Sequence, residues 1–289
     1  MIVTRRISTA VISKKANPNE DRLNMKTNKV YVGNVLKLAN QLSPQSIQAV
    51  ICSPPYAEQR KKHYASVSEN LYPDWTVNWA AAIRPALKSG GSLMIVIKPH
   101  SKGGRVSDYV DRTVARLRQD RWWEQRPLIW IKPDAPPVGN KKLPRDAWEY
   151  ILWFTRGKPS YSNIFPKANG KYSDRIGFNP TPYLDIYHGT SECTSGTARS
   201  PNVIVAACGN VAGRRNKNFK HPAQHPVPVY EHLVRLVTSE GQTVLDPFAG
   251  SGTTLVAAKN LGRQFIGFEL QPEFAEIARK RLLQNVKAA

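Results

Sequence analysis

The sequence predicts an α/β fold built from parallel strand–helix–strand units. Three observations carry this. Residues 243–284 alternate strand, helix, strand and helix at lengths that only a parallel βαβ arrangement connects comfortably. Gln48–Cys52 is a short, largely apolar run of the kind buried on both faces of a parallel sheet. A glycine-containing turn, Ala249–Gly252, joins a strand to a helix.

Residues 1–28 are polar and basic, carry the turn signal Asn17-Pro18-Asn19, and read as an N-terminal extension. Lys29–Val32 reads as a strand, Leu36–Leu42 as a short helix and Gln48–Cys52 as the next strand. Residues 74–88 place Trp75, Trp79, Ile83 and Leu87 on one helical face, with Gly90-Gly91 as the stop and Ser92–Ile97 as a buried strand. Val106–Leu117 reads as a helix, and Leu128–Lys132 and Tyr150–Phe154 as strands flanking the Pro-rich stretch 133–144. Residues 156–226 lack apolar periodicity. Within 156–220 ten basic residues face three acidic ones, so this part reads as a loop-rich basic insertion. Order returns with a helix at Val229–Val237, a strand at Thr243–Asp246, a helix at Gly252–Leu261, a strand at Gln264–Leu270 and a helix at Glu273–Gln284.

The chain has 289 residues, enough for one sizeable core, and a formal net charge of +21, which points to a polyanionic partner. The basic residues are spread along the chain, so nucleic acid fits better than a membrane surface. No apolar window approaches a membrane span and Arg5, Arg6, Lys14 and Lys15 interrupt any leader, so an intracellular, cytoplasmic protein is expected. Cys52, Cys193 and Cys208 are too few and too scattered for a disulfide framework. Together with His221 and His225 they lack zinc-knuckle spacing, so no metal is expected.

Two motifs carry chemistry. The first, Asp246-Pro247-Phe248-Ala249-Gly250-Ser251-Gly252, stands between a strand and a helix, with Glu269 ending the following strand 19 residues after Gly250. An acid at that distance typically bonds the ribose of a nucleoside cofactor, while Asp246 disfavours a pyrophosphate and suits a cation. The second, Ser53-Pro54-Pro55-Tyr56, follows a buried strand at the sheet edge where ligands bind. Its prolines hold an extended backbone that can present the Pro54 carbonyl and the Ser53 hydroxyl as acceptors, with Tyr56 as a stacking face. Cys52, on the strand side, reads as buried and not as a nucleophile.

With both motifs in this order, the chain resembles the β-class amino-methyltransferases of DNA, over roughly residues 29–155 and 220–286. Tyr31-Val32-Gly33-Asn34, Lys88-Ser89-Gly90-Gly91, Trp148-Glu149-Tyr150-Ile151-Leu152 and Lys220-His221-Pro222 add support. Ser-Pro-Pro-Tyr is similar to the N4-cytosine members, whereas N6-adenine members usually carry Asp or Asn first. One departure is Asn34, where similar proteins usually have Asp.

The resemblance implies a Rossmann-like, mostly parallel seven-stranded sheet with helices on both faces, one antiparallel edge strand and a recognition insertion. The domain would comprise a catalytic half at 29–155, the insertion at 156–219 and a cofactor-binding half at 220–289. It implies S-adenosyl-L-methionine as cofactor. Asp246 and Ser251 would hold its methionine part, Phe248 the adenine, Glu269 the ribose, Gly250 and Gly252 the turn, and His221 would lie near the methionine end. It further implies double-stranded DNA as partner, a cognate restriction endonuclease as a possible companion, and a monomer or homodimer. The target base would be flipped out against Tyr56, with Trp148 as another wall. Its proton would leave after methyl transfer without a strong base. Arg60, Lys61 and Lys62, and Arg214, Arg215 and Lys217, would grip phosphates. An N6-adenine enzyme, an RNA substrate and a catalytically silent binding module are the competing readings.

Overall fold

The computed structural model describes residues 25–59, 67–102, 104–135, 144, 146–161, 165–166, 197–198, 202–207 and 225–284. The strands of its main sheet are β1 (Lys29–Val32), β2 (Ile47–Cys52), β3 (Leu87–Ile97), β4 (Trp123–Glu124), β5 (Leu128–Ile131), β6 (Trp148–Thr155), β7 (Val203–Val205), β8 (Thr243–Asp246) and β9 (Gln264–Glu269). The helices are α1 (Val35–Ala39), α2 (Tyr72–Ile83), α3 (Tyr109–Gln119), α4 (Val227–Val237), α5 (Thr253–Asn260) and α6 (Pro272–Leu283). The strands form one sheet in the order β1-β9-β8-β2-β3-β6-β5-β7, with the two-residue β4 also pairing with β6.

The expected fold class is present, with two differences in the sheet. Among the described residues it holds nine strands, not seven. The reversed strand is not at the edge: β6 runs antiparallel to both β3 and β5 inside the sheet, and the edge position falls to β7, parallel to β5. The Val203–Val205 triplet is too short to show a period of two amid polar neighbours, which is why that stretch reads as loop.

The long segment around Gly90-Gly91 also differs. Pro85 cannot continue α2, so the helix passes through a single 3-10 turn at Arg84–Ala86 and β3 starts at Leu87. The glycines lie inside β3, where Gly91 packs its bare backbone against the Gln48 carbonyl of β2.

Helices cover both faces. Leu233, Val234, Leu255, Ala258 and Ala278 of α4, α5 and α6 pack with Ala49, Ile51, Met94 and Val244 on one face. Trp79, Ile83, Tyr109 and Leu117 of α2 and α3 pack with Val50, Ile95, Leu245 and Phe268 on the other. All six residues of β2 are therefore buried, as its apolar run requires. Asn34 caps α1, its side chain accepting the Leu36 N–H at 2.8 Å. Among the described residues no helix is long and apolar enough to cross a membrane.

What matters for function is that β8 lies directly beside β2 and parallel to it, with Leu245 opposite Val50. The carboxyl ends of these strands carry the two motifs, so residues far apart in sequence share one edge. Gly252 closes the turn above β8 at φ 80°, a conformation that glycine adopts without penalty, and a Cβ there would meet the Ala278 Cβ of α6 at 2.9 Å. Gly252→Ala is therefore expected to lower unfolding free energy by about 1–3 kcal/mol, read from the urea midpoint. An unchanged midpoint would mean that the turn is not clamped between α5 and α6.

Candidate active site

The β8 motif forms a cup of backbone donors around two buried carboxylates. Asp246 accepts the Phe248 N–H at 3.0 Å and the Thr254 hydroxyl at 2.5 Å. Thr254 also lies 3.4 Å from the Ile51 carbonyl, so the first turn of α5 bridges the two motif strands. Glu269 accepts the Gly250 N–H at 2.8 Å and the Gln271 N–H at 2.9 Å. Burial, reinforced by the neighbouring Glu269 charge, pushes the Asp246 carboxyl up to about 7 against the hydrogen bonds that favour its charged form. Burial also raises Glu269. Two desolvated carboxylates this close favour a cation between them and oppose a phosphate.

Phe248 supplies an aromatic wall, its ring 5.5 Å from Trp75 and 5.2 Å from Trp79 of α2. Ser251 is placed differently. Its hydroxyl and carbonyl both accept from the buried guanidinium of Arg281, at 2.9 and 2.6 Å, so α6 holds the turn from behind through this side chain. Arg281 was not legible as part of the site, because a basic residue late in an amphipathic helix ordinarily faces water.

At the end of β2, Pro54 is buried while Ser53, Pro55 and Tyr56 are half-buried. Cys52 is fully buried, and burial holds its thiol well above the ordinary range, so it supplies no thiolate. The Tyr56 hydroxyl donates to Glu149 of β6 at 2.7 Å. The other Glu149 oxygen pairs with the Lys132 ammonium, which also lies over the Trp130 ring at 4.9 Å. Burial pushes the Glu149 carboxyl up, but the His225 and Lys132 charges and the bonds from Lys132 and Tyr56 outweigh it and keep the group below the usual carboxylate range. Ser53 lies close to the Tyr56 and Tyr230 phenols. The Tyr230 hydroxyl in turn meets His225 Nδ1 at 2.7 Å.

Sequence reading reached Ser53, Pro54, Pro55 and Tyr56 but missed Lys132, His225 and Tyr230, and it met Glu149 only within a supporting stretch. The signal was weak but present: Lys132 directly follows a buried strand, and Glu149 is a charge inside an apolar one. His221, Arg60, Lys61, Lys62, Arg214, Arg215 and Lys217, like Cys193 and Cys208, lie outside the described residues. Glu58 N–H bonds the Val67 carbonyl at 3.0 Å, so the described flanks of segment 60–66 meet just beyond Tyr56. Trp148, partly exposed, stacks edge-on against Tyr150 at the same edge of the sheet.

Known proteins share this fold. A family model described as DNA methylase matches residues 47–280. The Type II methyltransferase M2.LlaDCHI of Lactococcus lactis subsp. cremoris is 51% identical over 262 residues, covering 85% of this chain and 86% of its own. The Type II methyltransferase M.PvuII of Proteus hauseri is 28% identical over 283 residues, covering 89% and 84%. The solved structure of the PvuII DNA methyltransferase (cytosine-N4-specific) superposes with a TM-score of 0.67 at 25% identity, over 89% of this chain and 86% of that one. The family match spans most of the chain and includes both motif strands, and on that basis the chain belongs to the DNA methylase family of N6 and N4 amino-methyltransferases.

Proposed function

We propose that this DNA methyltransferase transfers a methyl group to the exocyclic N4 of a flipped cytosine, with Ser53 and the Pro54 carbonyl holding the amine. The methyl donor is S-adenosyl-L-methionine, which supplies an electrophilic methyl on a sulfonium. The residues present fit it. Asp246 and Glu269 favour a cation and a ribose diol, and Phe248, backed by Trp75, offers an aromatic face for an adenine. Gly250 and Gly252 let the backbone close on the ligand, and Ser251 stabilises the turn through Arg281. His221 is proposed at the methionine end.

The observation that carries the reading is the bond from Tyr56 to Glu149. An ionised carboxylate can only accept, so the Tyr56 hydrogen is committed to it and the phenol oxygen is left as an acceptor. Ser53, close to that phenol, offers its hydroxyl oxygen to the cleft. A target amine is a poor nucleophile because its lone pair is delocalised into the ring. Acceptors at Ser53 Oγ and the Pro54 carbonyl align its hydrogens, raise the lone pair toward the methyl and stabilise the charge that develops on nitrogen. Tyr56 offers its ring face to the base and Trp148 a second wall.

Cytosine N4 is favoured over adenine N6 by the Ser53-Pro54-Pro55-Tyr56 tetrapeptide, similar to that of N4-cytosine members, and by the likeness to a methyltransferase named as cytosine-N4-specific. The phosphates are assigned to Arg60, Lys61, Lys62, Arg214, Arg215 and Lys217, on a chain of net charge +21. The relatives named as Type II methyltransferases make a cognate restriction endonuclease the expected companion.

Nucleosides from DNA of cells expressing the chain are expected to contain N4-methylcytosine by mass spectrometry, and DNA from cells carrying Ser53→Ala to lack it. N6-methyladenine alone would move the target to adenine. No methylated base in either DNA would reject the reading.

Cofactor affinity should depend on pH through Asp246. Its folded value, about 7, lies above the ordinary 3.8, so in the unliganded chain this group disfavours folding increasingly as pH rises from about 4 to about 7. A bound cation favours the ionised form. S-adenosyl-L-methionine binding at pH 6 should therefore release a proton and weaken by up to about tenfold per unit below pH 7. Calorimetry in two buffers of different ionisation enthalpy measures this, and identical heats would contradict the assignment of Asp246.

A further inference from the structure

Beside the tetrapeptide a small hairpin rises from the sheet edge, pairing Ser101–Lys102 with Arg105–Val106, and neither the cofactor cup nor the tetrapeptide uses it. Resting on the reading of DNA as substrate, we propose that this hairpin is a phosphate clamp, in which Lys102 and Arg105 grip the DNA backbone next to the target base.

Its position follows from the sheet. β3 runs parallel to β2, with Ile95 opposite Cys52, so both strands end on the edge that carries Ser53 and Tyr56. Lys98, Pro99 and His100 lead from β3 into the hairpin. The base of the hairpin is fixed. The Ser107 N–H donates to the His100 carbonyl at 2.8 Å, and the buried Tyr109 donates its hydroxyl hydrogen to the Lys98 carbonyl at 2.6 Å. Glu69 holds both ends, one oxygen 2.7 Å from His100 Nε2 and the other accepting the Ser107 hydroxyl at 2.8 Å. Glu69 follows closely on Val67, whose carbonyl accepts the Glu58 N–H. The hairpin is thus stapled to the stretch of chain that leaves Tyr56. A lone two-stranded hairpin is marginal in water, so this staple is what keeps it formed.

The tip points to an anion. The ladder sets Lys102 directly opposite Arg105. Like charges at opposed positions of an antiparallel pair are destabilising, and a phosphodiester between them converts the repulsion into attraction. Arg105 is exposed and has no ion pair among the described residues. The acids nearby are engaged elsewhere: Glu69 with His100 and Ser107, Asp108 with Arg112 at 2.9 Å, and Asp146 with Lys98 at 3.5 Å. Gly104 turns the chain at φ 78°, and a Cβ there would meet no described atom within 4 Å, so a strand of DNA can approach its backbone closely. Val106 is 71% exposed, which leaves the hairpin without a folding role on that position. Phosphate contacts fix register and orientation without reading sequence, so the clamp positions the strand over Tyr56 and leaves recognition to other residues.

The test is the salt dependence of binding to a fluorescent, unmethylated DNA duplex, followed by anisotropy. Lys102→Gln/Arg105→Gln should weaken binding about tenfold or more at about 0.1 M salt, and lower the slope of log affinity against log salt by about 1–2. The charge-conserving pair Lys102→Arg/Arg105→Lys should keep the wild-type slope. Lys26→Gln/Lys29→Gln removes the same charge from the amino end of β1, at the opposite edge of the sheet, and should leave the slope nearly unchanged. S-adenosyl-L-methionine affinity, measured by calorimetry, should be the same in all of them. A slope for Lys102→Gln/Arg105→Gln that matches wild type, or falls no further than that of the β1 pair, would overturn the clamp. Product analysis stays separate: N6-methyladenine from a wild type that shows the predicted slopes would undo the cytosine reading and leave the clamp standing. Absence of duplex binding by wild type would remove both.

Discussion

The site depends on one buried carboxylate. Glu149 sits inside the sheet on the reversed strand β6, where an isolated charge is costly and only a close partner makes ionisation favourable. Lys132 is that partner, delivered by the neighbouring strand β5 and seated on Trp130. Because Glu149 is an obligate acceptor, it fixes the direction of the bond from Tyr56, which gives its hydrogen downward and keeps its phenol oxygen as an acceptor beside Ser53. The ion pair thus sets polarity, and its net contribution to folding need not be large.

Topology then brings the halves together. The central strands β8 and β2 are parallel neighbours, so their carboxyl ends open on the same edge, where ligands of open α/β sheets bind. Thr254 ties the Asp246 carboxylate to the β2 side of that edge. Reversal of β6 matters as much. It brings the amino end of that strand, with Trp148, Glu149 and Tyr150, to the edge where the parallel strands end. A parallel strand in that place would have put these residues on the opposite side of the molecule.

The parts of the fold written in local signals were legible in the sequence. Apolar runs placed β2, β8 and β9, and the glycine turn and Glu269 marked the cup of backbone donors around two carboxylates. Where tertiary context overrides local signal, reading failed. Gly90-Gly91 looks like a helix stop but lies in β3, because Pro85 had already ended α2. Val203–Val205 is a three-residue strand among polar neighbours, held by its pairing with β5 and by Ile204 in the core. The network of Lys132, Glu149, Tyr230 and His225 comes from separate elements and has no shared spacing to detect. Its one trace is the presence of charges in or beside buried strands.

The most direct test removes the charge from Glu149 and keeps its shape. Glu149→Gln can donate through its amide, so the Tyr56 hydrogen is no longer committed and the phenol beside Ser53 is no longer held as an acceptor. Single-turnover methyl transfer should fall by tenfold or more, about 1.4 kcal/mol. S-adenosyl-L-methionine affinity should be unchanged, and the result should be the same when Lys132→Met is added to remove the unpaired cation. Wild-type transfer by a folded Glu149→Gln protein would contradict the claim that this carboxylate sets the polarity of the site.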